Sequence, residues 1–167
     1  MRKSGSDTEY NTPSADTKPR KATRPVRETA MGLLANREHS TRQLQDKLLA
    51  RGYSSEEVAE ALQTLTRDGL LSDARFVEAF VYSRRQRGSG PLKIRAELHQ
   101  RGVDDELIDA WLDERDPDWL TRAEAARCKK FGPALPVDFR DKARQARFLQ
   151  YRGFSADQTR QVLRDED

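Results

Sequence analysis

A short phrase recurs three times in this sequence: "RGYSSEEV" at 51–58, "RGVDDELI" at 101–108 and "RGFSADQT" at 152–159. The copies lie 50 and 51 residues apart. A self-similar period in this range signals an array of small units, each of which buries little by itself and leans on its neighbours. That regularity constrains the fold more than any single residue does.

Local chemistry says what each copy builds. "STRQLQDKLLARG" (40–52) opens with Ser40 and has Gln43 three residues later, the spacing of a capping box. Leu44, Leu48 and Leu49 then share one face at helical spacing. Gly52 supplies the left-handed residue that ends a helix, and Tyr53 is an apolar contact across the turn. Ser54 with Glu57 forms a second box ahead of the stripe Val58, Ala61, Leu62 and Leu65. In the second copy Ile94 and Leu98 precede Gly102, Val103 fills the turn, Asp104 caps, and Ile108, Trp111 and Leu112 make the stripe. In the third, Ala146 and Leu149 precede Gly153, Phe154 fills the turn, Ser155 and Gln158 form the box, and Val162 and Leu163 follow.

A further helical pattern leads each copy: "VRETAMGLLAN" (26–36), "SDARFVEAFVYSRRQ" (72–86) and "DPDWLTRAEAARCKKF" (116–131). In the last of these Asp116 is placed to cap, and Pro117 suits the first helical position. No convincing alternating strand pattern is present. The expected fold is all-α: an elongated array of three tandem three-helix repeats, about nine helices, at 25–70, 71–115 and 116–167. Residues 1–24 are rich in Ser, Thr, Pro and charge and hold almost nothing to bury, which predicts a disordered, mildly basic arm. The arm has no apolar run and so is not a secretory signal.

Composition agrees with small units. Hydrophobic and charged residues each make up 35 %, and mean hydropathy is −0.93, which is polar for one large interior. The single cysteine, Cys128, excludes an intramolecular disulfide and a thiolate metal cluster, and fits a reducing cytoplasm. No apolar run approaches the roughly 20 residues that a membrane helix needs.

Signs of catalysis are missing. There is no Walker loop or dinucleotide fingerprint, and "GSG" (88–90) lacks the strand a phosphate loop requires. His39 and His99 are far apart, sit among polar residues, and read as surface residues without a metal-site partner. Cys128 has Lys129 and Lys130 beside it but no base, so it reads as structural. Glu56, Glu57, Asp104 and Asp105 sit in first helical turns, where the helix dipole accounts for them. The Trp and Phe residues read as core. No catalytic residue, metal or cofactor is expected.

The information lies in local charge. "SRRQRGSGPLKIR" (83–95) holds Arg84, Arg85, Arg87, Lys93 and Arg95, with no acid between Glu78 and Glu97. Arginines at a helix end, a mobile Gly-Ser-Gly turn and the outward amides of the next helix make a phosphate or carboxylate site. Five cations exceed what capping needs. The third unit carries a second set: Arg122, Arg127, Lys129, Lys130, Arg140, Lys142, Arg144, Arg147 and Arg152, interrupted only by Glu124, Asp138 and Asp141. Of these, Arg127, Lys129, Lys130, Arg144 and Arg147 are the candidate contacts. An array with basic stretches in its middle and last units suits a long anionic partner, nucleic acid or a filament built on it. Stacking aromatics are sparse near the arginines, with Tyr82 read as core, so base-specific readout of single strands is not indicated.

These residues resemble a known family. "YSRRQRGSGPLKIRAELHQRGV" (82–103) is similar to the central motif of the RecX regulatory proteins: a helix ending in Ser-Arg, a Gly-Pro turn, an Ile, a Glu-Leu pair and Lys/Arg-Gly-Ile/Val. "DGLLSDARFVEAFV" (68–81) resembles the stretch before it, and the likeness runs over about residues 27–165. The resemblance implies a bacterial cytoplasmic protein that binds the RecA recombinase filament along its groove. It implies inhibition of strand exchange, ATP hydrolysis and co-protease activity, and binding to single- or double-stranded DNA with little sequence preference. A monomer that is neither an enzyme nor membrane-bound is expected. The alternative is a sequence-reading DNA-binding protein of the helix-turn-helix type. The third helices, "SEEVAEALQTL" and "DELIDAWLDE", are acidic and count against it.

Overall fold

The computed structural model describes residues 24–164, so the arm expected at 1–24 lies, apart from Arg24, outside the described residues. Among the described residues there are nine α-helices and no strand. The first repeat is α1 (Val26–Asn36), α2 (Thr41–Leu49) and α3 (Ser55–Arg67). The second is α4 (Asp73–Gln86), α5 (Pro91–His99) and α6 (Asp105–Trp111). The third is α7 (Asp118–Phe131), α8 (Phe139–Arg152) and α9 (Ala156–Val162). The three-by-three array read from the sequence is the array observed.

The punctuation works as its residue types dictate. Ser40, Ser54 and Ser155 each accept from the amide three residues on, and Gln43, Glu57 and Gln158 return the bond to the cap amide. Asp104 accepts from the Leu107 amide at 2.9 Å. Pro117 already has helical angles (φ −58°, ψ −22°), and the Asp116 carboxylate accepts from the Asp118 amide at 2.9 Å. At the far end of α5 the Val103 amide donates to Leu98 and Gly102 to His99. At the end of α8 Phe154 donates to Leu149 and Gly153 to Gln150. This paired bonding needs a left-handed residue, and Gly102 and Gly153 have φ of 75° and 95°. Tyr53, Val103 and Phe154 all lie buried beneath their turns.

Within each repeat the three helices pack on one another, and the close helix pairs all lie inside a repeat. The interiors are nevertheless divided unevenly. The first repeat has its own core around Leu44, Leu48, Val58 and Leu65. The second and third share one, in which Phe76, Val81 and Ile94 meet Trp119, Leu149 and Phe154.

The repeats are joined twice by the same device. The Ser40 hydroxyl, at the start of α2, donates to the Arg101 carbonyl in the α5–α6 turn at 2.6 Å. Fifty residues on, the Gly90 amide at the start of α5 donates to the Arg152 carbonyl in the α8–α9 turn at 2.8 Å. The repeated Arg-Gly phrase is therefore also the socket into which the preceding repeat plugs.

Several local expectations are corrected. His39 is not a surface residue: it stands next to the first joint and is 2 % exposed. The Gly-Ser-Gly turn is not a mobile loop, because Ser89 and Gly90 are buried in the second joint. Leu49 and Trp111, assigned to apolar stripes, are 37 % and 39 % exposed. Phe139 is not core but 87 % exposed, at the first residue of α8.

Candidate nucleic-acid interface

The end of α4 and one face each of α7 and α8 enclose a cleft of about 540 Å³ between the second and third repeats. Its charged lining is Arg85, Arg87, Arg122, Lys129, Lys130 and Arg152, with no carboxylate. Helical spacing produces this wall. Residues 122, 125, 126, 129 and 130 fall on one stripe of α7, with Ala125 and Ala126 leaving room between the cations. Phe148 and Arg152, one turn apart, supply the α8 wall.

The cations are held rather than loose. Arg85 stacks 4.5 Å from the Trp119 ring centroid and reaches Asp116 at 3.8 Å. Arg152 lies 5.8 Å from the Phe148 ring and donates to the Arg87 carbonyl at 2.6 Å, across the joint. Arg122 pairs with Asp118, one turn earlier on α7. Arg87, Lys129 and Lys130 are exposed and have no ion-pair partner among the described residues. The Nε–H groups of Arg85 and Arg152 are shielded from solvent and meet no acceptor among the described residues. The cleft is thus rich in donors and positive charge and short of acceptors. That balance suits an anion with several oxygens, such as a phosphodiester backbone.

The structure sorts the ten candidate cations. Arg85, Arg87, Lys129 and Lys130 come together in the cleft. Lys93 sits over the exposed Tyr151 ring, its Nζ 5.0 Å from the centroid. Arg147 is exposed on α8, one turn before Tyr151. Arg144 is exposed but pairs with Asp141 at 2.6 Å and stacks on Phe131.

Three candidates are engaged elsewhere. Arg84 bonds Glu97 at 2.6 Å and lies over the Phe80 ring, which Arg101 also covers. Arg95 is surrounded by Asp105, Asp109 and Glu114, and its hydrogen bonds to Asp109 and Glu114 raise its pKa further. Arg127 is 1 % exposed and donates to the carbonyls of Pro133 at 3.1 Å and Ala134 at 2.9 Å. It holds the α7–α8 loop and faces away from solvent, so its place in the candidate set is corrected. Arg122 and Arg152 belong to the wider basic set of the third unit but not to the ten candidates. The spacing of the α7 stripe is a signal in the sequence that selects Arg122 and rejects Arg127.

Family models for the first, second and third three-helix domains of RecX match residues 27–65, 72–112 and 116–163. This chain belongs to the RecX family. The regulatory protein RecX of Halorhodospira halophila is 48 % identical over 148 residues, covering 87 % of this chain and 92 % of that protein. The RecX of Pseudomonas fluorescens is 46 % identical over 142 residues, covering 85 % and 92 %. In fold, the crystal structure of RecX from Lactobacillus salivarius matches with a TM-score of 0.69 at 18 % identity, covering 82 % of this chain and 91 % of that one. No helix among the described residues is long and apolar enough to cross a membrane.

Proposed function

We propose that this RecX family member is a non-enzymatic negative modulator of the RecA recombinase. It binds the RecA–DNA filament along its groove and restrains strand exchange, ATP turnover and co-protease activity in the cytoplasm. The observation that carries the reading is the cleft between the second and third repeats, with six cations and no acid. A row of helical units joined end to end can lie along a helical polymer and add weak contacts into avidity. Groove occupancy blocks incoming duplex and resists the subunit motions coupled to ATP hydrolysis. The helix-turn-helix alternative gains nothing from the geometry: Glu56 and Glu60 on α3, and Asp105 and Asp109 on α6, are exposed acids where a recognition helix needs cations and amides.

The deciding experiment is a titration into the DNA-dependent ATPase of the cognate RecA. Turnover is expected to fall at equimolar protein or below. Unchanged turnover over that range overturns the reading, and a footprint on one defined duplex without RecA favours the alternative.

A further inference from the structure

We infer that the basic cleft takes an unpaired nucleic-acid strand, and that Tyr82 and Tyr151 stack its bases. The inference rests on reading the cleft as a phosphate site and adds which form of nucleic acid it selects.

The two tyrosines lie on α4 and α8, two of the three helices that wall the cleft. Tyr82 precedes the cleft residue Gln86 by one helical turn on α4. Tyr151 follows Phe148 by three residues and adjoins Arg152 on α8. Three or four residues along a helix place side chains within about 60° of one another, so each tyrosine borders the cleft wall of its own helix.

Neither ring is packed into a core, and the one charged group over either of them among the described residues is the Lys93 ammonium on Tyr151. Tyr151 is 78 % exposed and Tyr82 66 %. Among the described residues neither hydroxyl makes a hydrogen bond and neither ring packs on another aromatic. Tyr53 shows the contrast: it is 9 % exposed, and its hydroxyl contacts Thr29 and the Arg24 carbonyl. Single exposed aromatics are ordinary on protein surfaces. Two beside one acid-free cleft, one of them with Lys93 on its ring, form a pattern that packing does not require.

Chemistry then chooses the ligand. A duplex hides its base faces in the stack and offers only grooves and phosphates. An unpaired strand offers phosphates to Arg87, Lys129 and Lys130 and ring faces to the tyrosines at once. Stacking tolerates every base, and among the described residues Gln86 is the one side-chain amide lining the cleft, so no sequence code is built in. Tyr82, read as core from the sequence, is exposed instead, and the two rings are separated in sequence by 69 residues.

The test measures binding of the full chain to three labelled probes of equal length: oligothymidylate, the same backbone without bases, and duplex. Wild type is expected to hold oligothymidylate about ten-fold or more tighter than the abasic strand, in line with one or more stacked bases. Y82A/Y151A should bring oligothymidylate down to the abasic level and leave abasic and duplex binding unchanged, while Y82F/Y151F keeps the wild-type pattern. Equal wild-type affinity for oligothymidylate and abasic strand overturns the inference, as does an equal loss by Y82A/Y151A on all three probes. R87A/K129A/K130A tests the underlying reading separately: it should weaken all three probes, and if it weakens none, the cleft is not the phosphate site whatever the tyrosines do.

Discussion

Gly90 lies against the backbone of Gly153 so closely that a β-carbon at position 90 would stand 2.4 Å from the Gly153 carbonyl. The joint has no slack, since the Gly90 amide donates to Arg152 and the Leu92 amide to Gly153. Gly90→Ala must part the repeats or break both bonds. A loss of about 3 kcal/mol in urea unfolding is expected, from overpacking and from opening the shared core. Gly32→Ala in α1 is the control. That position is exposed with nothing within 4 Å, so it should gain roughly 0.5–1 kcal/mol from helix propensity alone.

Arg95→Ala should cost stability and spare binding. The side chain is 23 % exposed and sits among three carboxylates, which would then repel one another. Two of the three are well solvated, so the expected loss is about 1 kcal/mol. DNA affinity should stay within about two-fold of wild type at fixed salt. A drop matching that of R87A would return Arg95 to the interface.

How much of the fold and the cleft is legible in the sequence follows from what kind of force each residue answers to. Ser54, Gly102 and Asp104 act on their own turn, so a few neighbouring letters specify them, and helix count and order follow. Arg84, Arg95 and Arg127 look identical to Arg87 in a local window. Their partners Glu97, Glu114 and Ala134 are supplied by the packing of other segments. His39 reads as polar surface because only the joint with the second repeat makes its neighbourhood dry. The cleft is the extreme case: its walls come from α4, α7 and α8, and no stretch of chain contains it.

Arg127 anchors the segment between α7 and α8 by donating to successive carbonyls there. Arg127→Ala would leave those carbonyls without donors and open a cavity beneath them. An unfolding loss of about 2–4 kcal/mol is expected, with faster amide exchange confined first to residues 132–138. Arg127→Lys should recover only part of the loss, because one ammonium nitrogen replaces the two guanidinium nitrogens that reach the two carbonyls. DNA affinity that falls while stability and exchange stay unchanged would contradict the structural role.

Salt dependence reports how many cleft cations meet phosphates. For single strands the slope of log K against log salt should flatten by about 0.7 for each contact removed. Arg87→Ala, Lys129→Ala and Lys130→Ala should each show this, because none has an ion pair among the described residues to satisfy it instead. Arg84→Ala should leave the slope unchanged, since its charge is already committed to Glu97.

His39 gives the first joint a pH dependence. Burial lowers its pKa below the ordinary histidine range, opposed by the hydrogen bond that Nδ1 donates to the Arg37 carbonyl, while the Arg37 and Lys47 charges lower it further. The imidazole is therefore neutral in the folded chain at a pH where the unfolded chain is already taking up a proton. Between its ordinary value of 6.5 and its lower folded value, the unfolded state binds more protons, so stability rises with pH. Acidification from about pH 7.5 towards 5 should weaken the fold, beginning where α2 meets the α5–α6 turn through Ser40 and Arg101. Urea midpoints collected over that window test the sign. His39→Gln should flatten the dependence whatever it does to absolute stability, since the exposed His99 remains in both proteins. A slope that survives the substitution assigns the proton uptake to another group.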